Sequence, residues 1–174
     1  MSISNIAKKL KKRRKQKKPN FCRQVEGKPM NWQTLASDSH YQTLVAIEHE
    51  LQQGNVAEAT LGLEELLEAS TRSAKRALRS QLIRLMLHII KWKTQPEKQT
   101  RSSTASIYNA REEIQDLQQE TPSLTDAVIK ELWAKSFLAA KLAAEGEMNK
   151  DASLTTLTWE EVFEENYTYR RKDK

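Results

Sequence analysis

The stretch "RLMLHIIKW", residues 84 to 92, sets Arg84, His88 and Lys91 in a run that is otherwise apolar. At ~100° per residue, the i, i+4, i+7 spacing brings the three to one side of a helix. Two cations beside an imidazole could hold an anion or an anionic ligand. The same cations disfavour the imidazolium and keep His88 neutral near pH 7. A neutral imidazole flanked by cations is a poor ligand for a metal cation. The structural alternative makes His88 a core-edge ring, bonded to a carboxylate or carbonyl on a neighbouring helix.

Other chemistry finds little support. His40 and His49 stand nine apart, which suits no common zinc spacing. Cys22 is the only cysteine, so an internal disulfide and a Cys-based zinc site are excluded. No base is positioned to make Cys22 a nucleophile. Glu64, Glu65, Glu68, Glu112 and Glu113 have no E-x-x-H pair with which to form a carboxylate metal site, and read as solvated faces. There is no G-x-S-x-G, no phosphate-cradling Gly-rich loop and no H-E-x-x-H. The expectation is a protein without catalytic residues, metal or cofactor. An enzyme or anion-ligand site on the Arg84/His88/Lys91 seam is the remaining alternative.

Charge is the stronger signal. Residues 1–18 hold nine cations (Lys8, Lys9, Lys11, Lys12, Arg13, Arg14, Lys15, Lys17 and Lys18) and no acid. The whole chain has 29 Lys+Arg and 23 Asp+Glu, for a formal +6, so the remainder balances to −3. Such an arm neutralises phosphates and releases counterions, which gives sequence-independent contact with nucleic acid. A solvating tail is the plain alternative, leaving a pure protein-protein interaction module. Ile3, Ile6, Ala7 and Leu10 would line one side of a short interfacial helix. That side is short and lacks aromatics, so a membrane surface is the weaker partner.

These residues need elements to position them. Like charges in "KKRRKQKKPN" repel and cannot form a core, so residues 1–31 read as a flexible, disordered arm and linker. Helices are expected over roughly 37–53, 56–69, 72–93 and 103–120, then to about Glu145, with a short one opening at Trp159. Gly54 suits a C-cap, and Pro96 stops the third helix. In that third helix Gln81, Arg84, His88, Lys91 and Gln95 form one polar stripe. Leu82, Ile83, Leu85, Met86, Leu87, Ile89, Ile90 and Trp92 occupy the remaining circumference, so it is the buried central helix. Arg72, Lys75, Arg76 and Arg79 would oppose the dipole of its opening turns. If the second and third helices run on through Ser70-Thr71, Glu68 instead meets Arg72 at i, i+4. Ser123/Asp126 and Thr158/Glu161 have capping-box spacing. Trp92 and Trp133 belong to the core and Trp32 to the linker. The aromatics do not alternate with basic residues, so no platform for stacked bases is expected.

The fold class is all-α: a helical bundle of about five main helices plus a short C-terminal helix, behind a disordered basic arm. The expected organisation is arm and linker 1–31, bundle 32–169 and a short basic tail 170–174. No apolar segment follows the basic start and no run is long enough to span a bilayer. With one cysteine, a cytoplasmic location is expected. The partners expected are nucleic acid through the arm and an unidentified protein.

Residues 72 to 114 also carry a pattern. Arg72-Ser73, Arg76-Ala77-Leu78, His88-Ile-Ile-Lys91-Trp92, Gln95-Pro96, Ile107 and Ala110-Arg111 are followed by Pro122-Ser123-Leu124 and a terminal "FEENYTY". This resembles a bacterial family known as domain of unknown function twenty-nine, over roughly residues 38 to 169. The H-x-x-K-W-x-x-Q-P spacing matches without gaps. Ser103 stands where the family usually has Trp, and "LGLEELLEA" is less acidic than the corresponding stretch. The basic arm is outside the family pattern. The resemblance implies a helical bundle and no particular activity.

Overall fold

The computed structural model describes residues 30–169. The arm through Pro29 and the tail from Arg170 lie outside the described residues. All regular structure among the described residues is helical: α1 (Trp32–Asp38), α2 (His40–Gln52), α3 (Val56–Thr94), a 3-10 turn (Pro96–Lys98), α4 (Arg101–Glu120), α5 (Asp126–Met148) and α6 (Trp159–Phe163). Five helices of seven residues or more and one short terminal helix match the expected class. They divide the chain differently, however. The chain forms two compact units, whose boundary falls between Glu65 and Leu66, inside α3.

In the first unit the helix expected over 37–53 is α2, and α1 before it is a further helix that the pattern does not predict. Ser39 separates the two by adopting an extended conformation (φ −158°, ψ 107°), ending α1 and capping α2. Its hydroxyl accepts from the Gln42 amide at 3.3 Å. The Asn31 side chain caps α1 by accepting from the Thr34 amide at 3.0 Å. Trp32 is therefore no linker residue. It is buried, and its indole donates to Glu58 at 3.0 Å. The three-residue link Gln53–Asn55 folds α3 back on α2 as a helical hairpin. Gly54 makes the turn at φ +80°. Gly62 permits the close approach: a Cβ there would lie 2.7 Å from the Trp32 ring and 2.8 Å from Ile47.

The second and third expected helices are one 39-residue helix, α3. Ser70-Thr71 does not stop it, because the Thr71 hydroxyl donates back to the Leu67 carbonyl at 2.9 Å instead of capping a new helix. Arg72, Lys75, Arg76 and Arg79 thus sit in the middle of a helix, where no exposed helix N-terminus opposes them. Arg72 meets Glu68 at 2.7 Å in the i, i+4 arrangement.

The second unit packs the later turns of α3 against α4, α5 and the C-terminal segment. Leu78, Leu82, Leu85, Met86, Ile89 and Ile90 of α3 are fully buried. They meet Ile107, Ala110 and Ile114 of α4 and Ile129, Phe137, Ala140 and Ala144 of α5. The two fully buried alanines of α5 let its backbone come close. Leu142 of the same helix is 71% exposed. Two ion pairs show the direction of α5. Lys75 reaches Glu131 at 3.1 Å, and Lys91 reaches Glu147 at 2.7 Å. Each step is sixteen residues on both helices, so α3 and α5 run parallel in register over about 24 Å, and α4 returns between them.

Two ends differ from expectation. Thr125 is the residue before α5, without a side-chain cap, and Ser123 forms no capping box. Gln118 has taken the Asp126 carboxylate, donating to it at 3.1 Å. α5 also continues past Glu145 and Gly146 to Met148, where Asn149 terminates it in the left-handed conformation (φ 51°). The capping box at α6 is present as expected, Thr158 and Glu161 each accepting from the other's backbone amide.

Candidate functional site

The polar stripe of α3 survives folding. Arg84 is exposed, while Gln81, His88 and Lys91 are half-buried and Gln95 is buried. On either side of them Leu82, Leu85, Met86, Leu87, Ile89 and Ile90 go into the core. The helix period alone produces this division.

The stripe ends in a small crevice. His88, Lys91, Trp92 and Gln95 of α3 line it with Lys98 and Gln99 of the following turn and Ser103 of α4. Its volume is about 30 Å³, the scale of one water molecule. Pro96 creates it by ending α3, so that the chain turns through Pro96–Lys98 and brings Ser103 back alongside. Gln99 fixes the turn by donating to the Trp92 carbonyl at 3.1 Å. Lys98, Gln99 and Ser103 were not legible as neighbours of His88, because a turn of irregular backbone intervenes.

Charge within the stripe is uneven. Lys91 is neutralised by Glu147, whereas Arg84 makes no ion pair among the described residues. Partial burial lowers the His88 imidazole below its ordinary value; Lys91 and Arg84 lower it further, and Glu147 opposes them. Glu147 is the carboxylate that a core-edge histidine would use, but it bonds Lys91. Among the described residues no partner bonds the His88 ring. The arrangement is a neutral imidazole with one unpaired cation on its own helix, Lys98 across the crevice, and amide and hydroxyl groups. It can donate hydrogen bonds to a small anion.

A second cluster joins three elements near the C-terminus. Arg111 of α4 donates from Nε to the Val162 carbonyl at 2.7 Å and from a terminal nitrogen to the Glu161 carbonyl at 3.4 Å. Its guanidinium lies 5.5 Å from the Tyr108 ring centre and 5.4 Å from that of Tyr167. Because α6 has five residues, these carbonyls have no acceptor role inside the helix. Arg111 supplies the cap from another element. The Tyr167 hydroxyl lies 2.7 Å from the Glu161 carbonyl and 3.0 Å from Glu165. With one hydroxyl proton it serves these acceptors by turns or by sharing. Burial, then Glu165, pushes this phenol well above its usual range. Lys93 of α3 bonds Glu161 at 2.5 Å and lies 3.5 Å from Glu165. Burial alone would lower Lys93; its bonds to the two carboxylates outweigh that and raise it. The Lys93 bond, with that from the Thr158 amide, holds the Glu161 carboxyl below the usual carboxylate range. Every strong donor here is satisfied within the chain, so this cluster reads as a clamp on the C-terminal segment.

Among the described residues no three His, Cys, Asp or Glu side chains come close enough to hold a metal ion. None of the described helices is long and apolar enough to cross a membrane. Lys8, Lys9, Lys11, Lys12, Arg13, Arg14, Lys15, Lys17 and Lys18, the expected phosphate contacts, lie outside the described residues.

The molecule is thus an all-helical protein with a parallel α3/α5 pair, a polar crevice at the end of α3 and a clamped C-terminal segment. Residues 38–168 match the model of the family described as Domain of unknown function DUF29, and the chain belongs to that family. No curated protein and no solved structure matches the chain. Several residues that carry the resemblance meet in space: His88, Lys91, Trp92 and Gln95 line the crevice, and Arg111 is the centre of the clamp.

Proposed function

We propose that this protein is a non-enzymatic accessory protein whose basic arm contacts nucleic acid without sequence specificity, while its helical body engages a protein. The observation that carries this reading is the separation of charge. Nine cations and no acid fall in residues 1–18, and the rest of the chain balances to −3. A cationic segment joined to a mildly acidic body directs polyanions to the segment and away from the body. The test is fluorescence anisotropy with two duplexes of unrelated sequence across a salt series. Six phosphate contacts give a slope of log K against log salt of about −5, or roughly a 10³-fold loss between 50 and 200 mM salt. Equal affinity for the two duplexes and a flat response after deletion of residues 1–18 support the reading. Undiminished binding by the deleted protein refutes it.

A second reading, a protein-interaction module with an incidental arm, is favoured by Leu138 and Leu142. They stand one turn apart on α5, 69% and 71% exposed. It expects a partner that stays bound after nuclease treatment and after deletion of the arm.

A further inference from the structure

The α2/α3 hairpin of the first unit leaves an apolar flank uncovered. Leu44 and Leu51 of α2 and Val56 and Leu63 of α3 are 52%, 50%, 62% and 50% exposed. Each pair is spaced seven residues apart, so each lies along one stripe of its helix. Relative to the inward residues Thr43, Ala46 and Ile47 of α2, the leucines are displaced about 90° in the sense of the helical rotation. Relative to Ala59 and Gly62 of α3, Val56 and Leu63 are displaced in the same sense by a comparable angle. In an antiparallel hairpin two displacements of the same sense point to the same side. The four side chains therefore form one surface, bordered by the exposed carboxylates of Glu48 on α2 and Glu64 on α3.

The charge around this flank is of one sign. Residues 30–65 contain six carboxylates and no Lys or Arg. Such a surface fits an apolar stripe flanked by cations. It opposes a second copy of itself, because pairing the flanks would bring two all-acidic surfaces together. It opposes an anionic lipid surface for the same reason.

We propose that the occupant of this flank is residues 3–14 of the same chain. In that segment Ile3, Ile6, Ala7 and Leu10 recur at helical spacing, and Lys8, Lys9, Lys11, Lys12, Arg13 and Arg14 surround them. The apolar positions match Leu44, Leu51, Val56 and Leu63 in kind, and the cations are opposite in sign to Glu48 and Glu64. Residues 15–31 could span at most about 56 Å, well beyond the ~20 Å length of α2. Short tethers give effective concentrations near the millimolar range, which favours docking within one chain over docking between chains. The segment overlaps the cations of the proposed phosphate-binding arm, so docking and polyanion binding compete. The docking itself does not depend on that function.

The experiment uses the full chain with Cys22→Ser and a spin label at Ser2→Cys, read by amide signals of the isotopically enriched protein. Docking produces selective loss of signal over residues 41–63 at low salt. The loss is relieved at high salt and in the Glu48→Lys/Glu64→Lys variant, whose substitutions are at exposed positions. A one-to-one mixture of enriched unlabelled protein with unenriched spin-labelled protein shows no loss. Absence of loss at low salt in the labelled chain overturns the proposal. Equal loss in the mixture overturns it in favour of a second copy. Adding a duplex restores the signals if the two uses of the arm compete. If the duplex binds by anisotropy and the signals were never lost, the docking fails and the nucleic-acid reading stands. If docking is seen and no duplex binds, the reverse holds.

Discussion

Replacing Arg111 with alanine tests whether one side chain holds the C-terminal segment to the second unit. The Nε bond to the Val162 carbonyl is 2.7 Å long, and that residue is fully buried. A hydrogen bond from a charged donor contributes about 1.5–3 kcal/mol, and its loss leaves a carbonyl without a partner. Of the two rings, at 5.5 Å and 5.4 Å, Tyr108 is exposed and Tyr167 is buried. They add about 0.5 kcal/mol each. Arg111→Ala is therefore expected to cost about 3 kcal/mol. For a unit of this size that lowers the melting temperature by roughly 10 °C. Arg111→Lys keeps the charge but cannot direct a planar Nε–H along this line, and should lose most of the same stability. Urea unfolding followed by tryptophan emission is a suitable assay, since Trp92, Trp133 and Trp159 all belong to this unit. Amide exchange of Val162 to Tyr167 should accelerate before that of Ile89 or Ile107. If Arg111→Ala unfolds within about 0.5 kcal/mol of the parent, the clamp carries no weight, because that is the scale of an ordinary surface substitution.

Gly62→Ala should destabilise the first unit by about 1–3 kcal/mol, the usual range for overpacking, since its Cβ would meet the Trp32 ring at 2.7 Å; a shift in Trp32 emission and a lower urea midpoint would show it. Gly146→Ala should do the opposite. The position is helical with open space around it, so a gain of about 0.5–1 kcal/mol is expected by thermal denaturation. His88 should titrate by NMR below the ordinary histidine value, because burial, Lys91 and Arg84 all disfavour its proton. Its folded state binds that proton less readily than the unfolded chain does. The stability it contributes is thus present above about pH 6.5 and lost as pH falls through the lower folded value. His88→Asn should remove that part of the pH dependence, and an unchanged stability profile would contradict the assignment.

Much of the candidate site was legible before folding. The stripe Gln81, Arg84, His88, Lys91 and Gln95 follows from helix period, and Thr158 with Glu161 follows from capping chemistry within four residues. Elsewhere local rules had competitors. Ser123 and Asp126 have the right spacing for a capping box, yet Gln118 captured the carboxylate from the preceding helix. Ser70-Thr71 looks like a boundary, yet a threonine hydroxyl can bond back inside a helix as readily as it can begin one. α1 escaped notice because seven residues give too few turns for a period to emerge.

By itself the sequence determined the helical class, the buried faces of the long helices and the separation of cationic arm from acidic body. Those properties depend on residues within a few turns of one another or on simple composition. Only the tertiary structure decided that Lys91 and not His88 takes Glu147, that α5 runs parallel to α3, and that Arg111 caps α6. Each of these joins groups more than fifty residues apart. Which acceptor a long side chain reaches depends on how the backbones pack, and helical period carries no information about that choice.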